Sequence, residues 1–253
     1  MTAKRTALVT GASYGVGVGA ATALALARNG FGVAVTATRR DNLAATLRAL
    51  EATAARAVPL VFELRDQDNI TRLAVDVVAA FGTLDVLVNN AGANLRRDTV
   101  GVTPPEWDTV MAVNIRGTLF LTQAIGRHMI AAGRGGAIVN LASTHALIGV
   151  AERSTYGISK AALIGMTRML AVEWAPHGIR VNAVAPGRLD TPSPSRSGKG
   201  TDPAYMAAML ARIPLRKQAS AEEVAATAVY LTGPAAAAMT GQVLVLDGGL
   251  TVA

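Results

Sequence analysis

The sequence predicts an α/β fold with a doubly wound parallel sheet of about seven strands, helices on both faces, and a single domain spanning residues 1–253. Three observations predict this fold. Short apolar runs rich in β-branched residues alternate with helix-like stretches. A glycine-rich turn follows the first of these runs, and no linker or repeat divides the chain. A length of 253 residues also suits one domain of this class.

The predicted strands are short and largely apolar, as expected of strands buried on both faces of a sheet. They span residues 6–10, 32–37, 58–64, 86–89, 137–141, 180–184 and 243–246. The longer helix-like stretches between them include residues 20–28, 104–129 and 156–176. Because parallel strands need crossover connections, these helices would cover the two faces of the sheet.

Three glycines with the spacing G-x-x-x-G-x-G follow the first strand and precede the first helix. Gly11 and Gly15 would let the backbone approach a pyrophosphate, and Gly17 would allow close packing of helix on strand. Free N–H groups at the helix N-terminus would bind the anion. A turn whose glycines serve packing alone is the alternative. The pattern predicts a Rossmann-type dinucleotide site formed by Gly11, Ser13, Tyr14, Gly15, Val16 and Gly17.

Tyr156 and Lys160 lie four residues apart in a predicted helix, and Ser143 lies thirteen residues before the tyrosine. Positions i and i+4 share a helix face, so the phenol and the ammonium would point into the same space. A neighbouring cation lowers the pKa of a phenol, and a serine hydroxyl can hydrogen-bond a substrate oxygen. These groups predict proton transfer to or from a carbonyl or alcohol. A surface helix pair without a chemical role is the alternative.

The chain resembles the short-chain dehydrogenase/reductase family of the Tyr-x-x-x-Lys type. The resemblance covers essentially the whole chain, and the ordered set of motifs is more specific than any one of them. The motifs are the glycine turn at residues 10–17, Asn-Asn-Ala-Gly at 89–92, Asn114, Ser143, Tyr-x-x-x-Lys at 156–160, Pro-Gly at 186–187 and Leu-Asp-Gly-Gly at 246–249.

The resemblance implies hydride transfer between a nicotinamide cofactor and a carbonyl or secondary alcohol. Tyr156 would be the general acid or base, and Lys160 would lower its pKa and hold the nicotinamide ribose. Ser143 would stabilise the substrate oxygen, or be only a strand-end cap. Asn114 would hold a water linking Lys160 to solvent, or be a buried structural amide. A nucleotide-sensing binding protein is the non-enzymatic alternative.

The end of the second strand bears on the choice of cofactor. Ala37 stands where NAD-preferring members of the family have aspartate, and Thr38 and Arg39 can bind a 2′-phosphate. NADP(H) is therefore predicted over NAD(H), although Tyr14 stands where many NADP-using members have a basic residue. Glu63, where the family often has aspartate, would weaken or shift a hydrogen bond near the adenine. The remaining cofactor contacts implied by the resemblance are Leu64, Asn90, Ala91, Gly92, Tyr156, Lys160, Pro186, Gly187, Leu189 and Thr191.

The resemblance places the substrate residues after Asn-Asn-Ala-Gly, after the serine, before the tyrosine and in a lid. They are Asn94, Arg96, Ser143, His145, Arg153, Tyr156 and Arg188, with Ala93, Thr144 and a substrate lid at about 191–212. The arginines would suit an anionic substrate such as a keto acid, a sugar acid or an acyl-carrier thioester, or else lie on solvated loops. Both 3-oxoacyl reductases and NAD-dependent sugar or polyol dehydrogenases fit the motifs, and residues 94–97 favour sugar acids slightly.

Composition limits the remaining possibilities. The chain has no cysteine, three scattered histidines and no apolar stretch of membrane-spanning length, which favours a soluble, cytoplasmic protein without a metal or a membrane partner. A net charge of +7 is spread along the chain without a nucleic-acid motif, so a basic scaffold that binds nucleic acid is a minor alternative to a small-molecule enzyme. The resemblance implies a homo-oligomer, a tetramer or a dimer, formed through helices 104–129 and 156–176 and the last strand.

Overall fold

The computed structural model describes residues 5–191 and 202–253 and contains one parallel sheet of seven strands in the order β3-β2-β1-β4-β5-β6-β7. The strand order reverses between β1 and β4, and ligands of such sheets bind at the carboxyl ends of the strands beside this point. All seven predicted strands are present. They are β1 Thr6–Val9, β2 Gly32–Ala37, β3 Ala57–Val61, β4 Val86–Asn89, β5 Gly136–Leu141, β6 Ile179–Pro186 and β7 Val243–Leu246.

Helices cover both faces of the sheet, which confirms the doubly wound α/β class. One apolar core packs against α1, α2 and α8 through residues such as Leu26, Leu50 and Leu231. The other packs against α3, α5 and α6 through residues such as Leu73 and Ile125. The α-helices are α1 Gly17–Arg28, α2 Ala44–Glu51, α3 Gln67–Phe81, α4 Pro104–Met111, α5 Thr118–Ala132, α6 Ser154–Trp174, α7 Pro203–Ala211 and α8 Ala221–Thr232.

Several predicted boundaries differ from the structure, and the clearest differences are at β3 and at the helix predicted over 104–129. β3 ends at Val61, which pairs with the last residue of β2, so the chain beyond it has no strand to continue along. The helix predicted over 104–129 is interrupted by a π-helix at Ala112–Gly117. A Cβ on Gly117 would collide with the carbonyl oxygen of Leu64, so the end of the π-helix packs directly against the loop after β3.

The predicted lid at 191–212 is described only in part, because residues 192–201 lie outside the described residues. Its second half forms α7, which begins after Asp202; the carboxylate accepts a hydrogen bond from Ala204 N. None of the α7 residues is buried. Within the described chain, no helix combines the length and the apolar character needed to span a bilayer.

Candidate active site

The glycine turn follows β1 and is shaped by close backbone approaches. Gly11 has φ +69°, and a Cβ on it would lie 2.8 Å from Ala91 Cα. Gly15 has φ +68°, and a Cβ there would lie 2.8 Å from Ala45 Cβ. Any other residue would therefore be strained at these two positions and would also displace a neighbouring segment.

The close packing predicted for Gly17 belongs to Gly19 instead. A Cβ on Gly17 would meet nothing within 4 Å. On Gly19, in the first turn of α1, a Cβ would collide with Gly11 O and Asn90 Nδ2. The prediction was wrong because the closeness of helix and turn depends on a neighbour, Asn90, that lies far along the chain.

Asn90 fastens the glycine turn to the end of β4. Its Nδ2 donates to the carbonyl oxygens of Thr10 and Gly11, both at 2.9 Å. The Thr10 hydroxyl in turn accepts from the backbone N–H groups of Asn90 and Ala91, each at 3.0 Å. These hydrogen bonds connect the segments that follow β1 and β4, the two strands at which the strand order reverses.

A groove of about 590 Å³ at these strand ends collects seven of the predicted cofactor residues. The α1 N-terminus beside it has no side-chain cap and no acidic residue in its first turn, so its free N–H groups fit a diphosphate. Gly11, Ser13, Thr38, Leu64, Asn90, Ala91 and Gly92 line the groove, and Gly15, Val16, Gly17 and Thr191 line a second pocket of about 220 Å³. Tyr14 and Arg39 line neither pocket and are exposed.

Glu63 lines the groove, and its carboxylate hydrogen-bonds its own loop. Its carboxylate accepts from Arg65 N and from the Arg65 guanidinium, both at 3.1 Å. Hydrogen bonding to Arg65 lowers the Glu63 pKa against the opposing effect of burial. The hydrogen bond expected of an aspartate at this position is therefore replaced by a contact that stiffens the loop carrying Leu64.

Lys160 is buried behind Tyr156 on α6. Its Nζ donates to Leu141 O at 2.7 Å, and burial lowers its pKa to about 8. The pKa of Tyr156 is raised by burial, with hydrogen bonding from Ser143 and the charge of Arg153 opposing the rise. The Lys160 ammonium is directed to the end of β5, so the predicted lowering of the Tyr156 pKa by Lys160 stays a prediction; the charge of Arg153 does lower the pKa of the phenol.

Ser143 follows β5 and caps the short 3₁₀ turn Thr144–Ala146. Its Oγ accepts from His145 N at 3.2 Å and lies 3.0 Å from His145 Nδ1. The His145 and Tyr156 rings meet edge to face, with centroids 5.6 Å apart. The strand-end cap that was the alternative for Ser143 is therefore real, and it fixes the hydroxyl next to the tyrosine.

Asn114 lies in the π-helix and is almost fully buried. Its Oδ1 accepts from Ala93 N at 2.7 Å, and its Nδ2 donates to Ala93 O and to Ser159 Oγ, both at 2.9 Å. Ser159 Oγ donates to Tyr156 O at 2.7 Å. The amide therefore links the loop after β4 to the first turns of α6, and a water-holding role stays a prediction.

Ser143 and Tyr156 open into a cavity of about 340 Å³ that also receives the predicted substrate residues. Asn94, Arg96, Thr144, His145, Arg153, Gly187, Arg188 and Leu189 line it. Four further lining residues were not predicted: Ile148, Val150, Ala151 and Leu250. Tyr205, Met209 and Arg212 also line the cavity and lie in the predicted lid region, where the 205–209–212 spacing is that of one helix face.

The cavity is strongly cationic. Arg96, Arg153, Arg188 and Arg212 all line it, and no acidic side chain does so within the described part of the chain. Arg153 donates to Asn94 Oδ1 at 2.8 Å, and burial and the charge of Arg96 lower its pKa. Arg96 is paired with Glu152 outside the cavity lining. The arginines predicted separately along the sequence therefore converge on one space.

Comparison with known proteins gives relatives over the full length. The model of the enoyl-(acyl carrier protein) reductase family matches residues 11–251. The 3-oxoacyl-[acyl-carrier-protein] reductase of Thermotoga maritima is 36% identical over 249 residues, covering 98% of this chain and 98% of the relative. The cis-4-hydroxycyclohexanecarboxylate dehydrogenase of Sinomonas cyclohexanicum is 39% identical over 252 residues, covering 98% of this chain and 97% of the relative.

A solved structure gives the same result. The crystal structure of an Agrobacterium tumefaciens protein assigned as a 2-deoxy-D-gluconate 3-dehydrogenase, with bound NADP, matches with a TM-score of 0.89 and 36% identity, covering 98% of this chain and 97% of the other. With the seven-stranded sheet and the ordered motifs, these similarities establish that the chain belongs to the short-chain dehydrogenase/reductase family and is a nicotinamide-dependent oxidoreductase of carbonyl and alcohol groups.

Proposed function

We propose that this oxidoreductase acts on a small carboxylate-bearing ketone or secondary alcohol and prefers NADP(H). The observation that carries the proposal is the convergence of four arginines on the cavity that holds Ser143 and Tyr156, with no acid lining it among the described residues. Arg153 is partly buried there, and a guanidinium of this kind binds a carboxylate through paired N–H groups.

The catalytic roles follow from the positions of four side chains. A nicotinamide bound in the groove supplies the hydride chemistry. During reduction Tyr156 donates its phenolic proton to the substrate oxygen, and during oxidation it accepts that proton. Ser143 donates a hydrogen bond to the same oxygen as negative charge develops on it. Lys160 holds the ribose hydroxyls, and Asn114 keeps the loop after β4 and α6 in register.

Two of the relatives support a hydroxy or keto acid as substrate. The Sinomonas enzyme is named for a cyclic hydroxy acid, and the Agrobacterium protein for a sugar acid. Both names describe a secondary alcohol and a carboxylate in one compact molecule. A cavity of about 340 Å³ is at the small end of the range for ligand sites and suits such a substrate.

The end of β2 supports NADP(H). Ala37 offers no carboxylate to repel a 2′-phosphate, and Thr38 and Arg39 are exposed beside it. Arg39 forms no ion pair among the described residues, so its guanidinium is available to a phosphate. The bound NADP of the Agrobacterium structure agrees with this choice. NAD(H) is the alternative, as in an NAD-dependent sugar or polyol dehydrogenase.

A second candidate substrate is a 3-oxoacyl thioester, favoured by the similarity to the Thermotoga reductase. The arginines would then bind an acidic carrier protein or the phosphates of its cofactor arm. A panel that contains hydroxy and keto acids, their uncharged amides and acetoacetyl thioesters, each with NADP(H) and NAD(H), separates the two. Reduced-nicotinamide absorbance should report turnover of the acids at least about tenfold faster than of their amides. Turnover of the thioesters alone would refute the carboxylate proposal.

We also propose that the protein is a cytoplasmic homo-oligomer, a tetramer or a dimer. The outer face of α6 supports association, because Met169 and Val172 are 67% and 77% exposed there. Light scattering coupled to size-exclusion chromatography should give a mass of two or four times 25.9 kDa. A monomer at micromolar concentration would contradict it.

A further inference from the structure

His145 is placed to set the direction of the Ser143 hydroxyl proton. The Ser143 Oγ accepts a hydrogen bond from His145 N at 3.2 Å, and His145 Nδ1 lies 3.0 Å from the same oxygen. A serine oxygen has two acceptor positions and one proton. The backbone N–H fills one acceptor position. The protonation of Nδ1 therefore decides whether the hydroxyl accepts a second hydrogen bond from His145 or donates its own proton to it.

The two neutral tautomers of the imidazole have opposite effects on Ser143. An unprotonated Nδ1 would accept the Ser143 proton and turn it away from the reacting oxygen. A protonated Nδ1 would fill the second acceptor position, and the proton would then have to point elsewhere. Ser143 and Tyr156 line the same cavity, and donation of the Ser143 proton to the reacting oxygen in that cavity requires the proton to point away from His145.

We propose that His145 carries its proton on Nδ1, donates it to Ser143 Oγ, and so commits the Ser143 proton to the oxygen of Tyr156 or of the substrate. His145 is a positioning residue, since it acts through Ser143 rather than on the reacting atoms. The substrate contact predicted for His145 from the sequence is then secondary, because Nδ1 is used within the protein.

The surroundings hold His145 in this position and keep it uncharged. A Cβ on Gly157 would lie 2.8 Å from His145 O, so α6 packs directly on the 3₁₀ turn. The Tyr156 ring packs against the imidazole edge to face. Burial and the charge of Arg153 lower the His145 pKa. The other charged groups that line the same cavity, Arg96, Arg188 and Arg212, are also cations, and within the described chain no carboxylate faces the ring.

The tautomer can be observed without any substrate. In protein labelled with ¹⁵N-histidine, long-range proton–nitrogen spectra distinguish a protonated Nδ1 from a protonated Nε2. The chain has only three histidines, and loss of one set of signals in His145→Asn assigns His145. We expect a protonated Nδ1 at neutral pH. A protonated Nε2 with an unprotonated Nδ1 would overturn the proposal.

Kinetics of matched variants give a second test. The amide nitrogen of an asparagine can occupy the place of Nδ1, whereas that of a glutamine reaches the place of Nε2. We expect kcat to fall about tenfold in His145→Gln and His145→Ala but less than about threefold in His145→Asn, with KM for NADP⁺ unchanged in all three. Equal losses in the Asn and Gln variants would contradict a role at Nδ1.

The pH profile separates positioning from a general loss of structure. Because the hydrogen bond from Ser143 lowers the Tyr156 pKa, its loss raises that pKa. The acid limb of kcat/KM for alcohol oxidation should therefore move to higher pH by about half a unit or more in the Ala variant and remain in place in the Asn variant. A reduced rate with an unmoved acid limb would refute the proposal.

The kinetic tests use the best hydroxy acid of the panel and rest on the proposed function. The tautomer measurement does not depend on that function, so the proposal for His145 and the proposed function can fail separately.

Discussion

The Lys160 ammonium lies 5.7 Å from the centre of the Tyr156 ring and donates its 2.7 Å hydrogen bond to the carbonyl of Leu141. Burial lowers the pKa of Lys160 to about 8 and raises that of Tyr156. Each group therefore resists ionisation when it stands alone. A phenolate at Tyr156 is favoured by a protonated Lys160, so the two groups should ionise as a pair during turnover.

Replacing Lys160 by methionine should stabilise the protein at neutral pH and abolish activity. The folded pKa of about 8 lies below the unfolded value of 10.5, so the cost of burying the charge is fully present below pH 8. It amounts to about 3 kcal/mol and fades as pH rises from 8 to 10.5. Urea unfolding should thus show Lys160→Met as more stable than the parent at pH 7, with a gap that narrows toward pH 10.5.

The exposed Lys217 gives the matched control for this experiment. The side chain of Lys217 is 62% exposed and its ion pair with Glu223 lies at the surface, so Lys217→Met should change stability by only a small amount between about pH 7 and pH 10. A constant difference between Lys160→Met and the parent across this range would show that Lys160 does not pay a burial cost in the folded state.

Tyr156→Phe should reduce kcat by about 10³-fold, because the phenol is the only acid proposed to contact the reacting oxygen. Binding of NADPH, followed by nucleotide fluorescence, should stay within about threefold of the parent, since the ring and its packing on His145 are kept. Tyr230→Phe serves as control because Tyr230 is 45% exposed on α8. Retention of most of kcat in Tyr156→Phe would remove the tyrosine from its proposed role.

Arg153→Gln should have two separable effects. The charge of Arg153 lowers the pKa of Tyr156, so its removal should shift the acid limb of the oxidation profile to higher pH. Loss of the guanidinium should also raise KM for a hydroxy acid by about tenfold and leave KM for the matching amide unchanged. Arg72→Gln, at an exposed position of α3, should do neither. Equal changes in KM for acid and amide would argue against a carboxylate subsite.

Ala37→Asp should reverse the preference for the nucleotide. A carboxylate at the end of β2 would repel the 2′-phosphate of NADP(H) and accept a hydrogen bond from the 2′-hydroxyl of NAD(H). The ratio of kcat/KM for NADP⁺ over NAD⁺ should fall by at least about 100-fold. Arg39→Ala should weaken NADP⁺ alone, by about tenfold. A parent enzyme that already favours NAD⁺ would refute the cofactor proposal.

The strands and the ordered motifs could be predicted because their signals are local. A strand buried on both faces is apolar along its whole length. In β1, Ala7 and Val9 pack in one core and Leu8 packs in the other. The glycine turn and the Tyr-x-x-x-Lys pair likewise need only their own neighbours in the chain. The fold class and the place of the site follow from these features.

The features that were missed depend on distant neighbours. Nothing around residue 160 indicates that its ammonium is directed to Leu141 O, and nothing around Gly117 indicates that this last residue of the π-helix packs against a carbonyl on another loop. Arg212 enters the substrate cavity only because α7 folds over it. Position in the chain predicts which residues belong to the site, whereas their partners are set by tertiary packing.

Gly19→Ala should destabilise the protein and weaken nucleotide binding together. The new methyl group would collide with Gly11 O and Asn90 Nδ2, so α1 or the glycine turn must move. Overpacking of this kind costs about 2 kcal/mol. Gly149→Ala is the matched control: Gly149 has no positive φ, a Cβ there would meet nothing within 4 Å, and the change should alter stability by less than about 1 kcal/mol. Thermal unfolding and NADPH titration check both variants. A Gly19→Ala protein as stable as Gly149→Ala would show that α1 and the glycine turn are less tightly packed than in this structure.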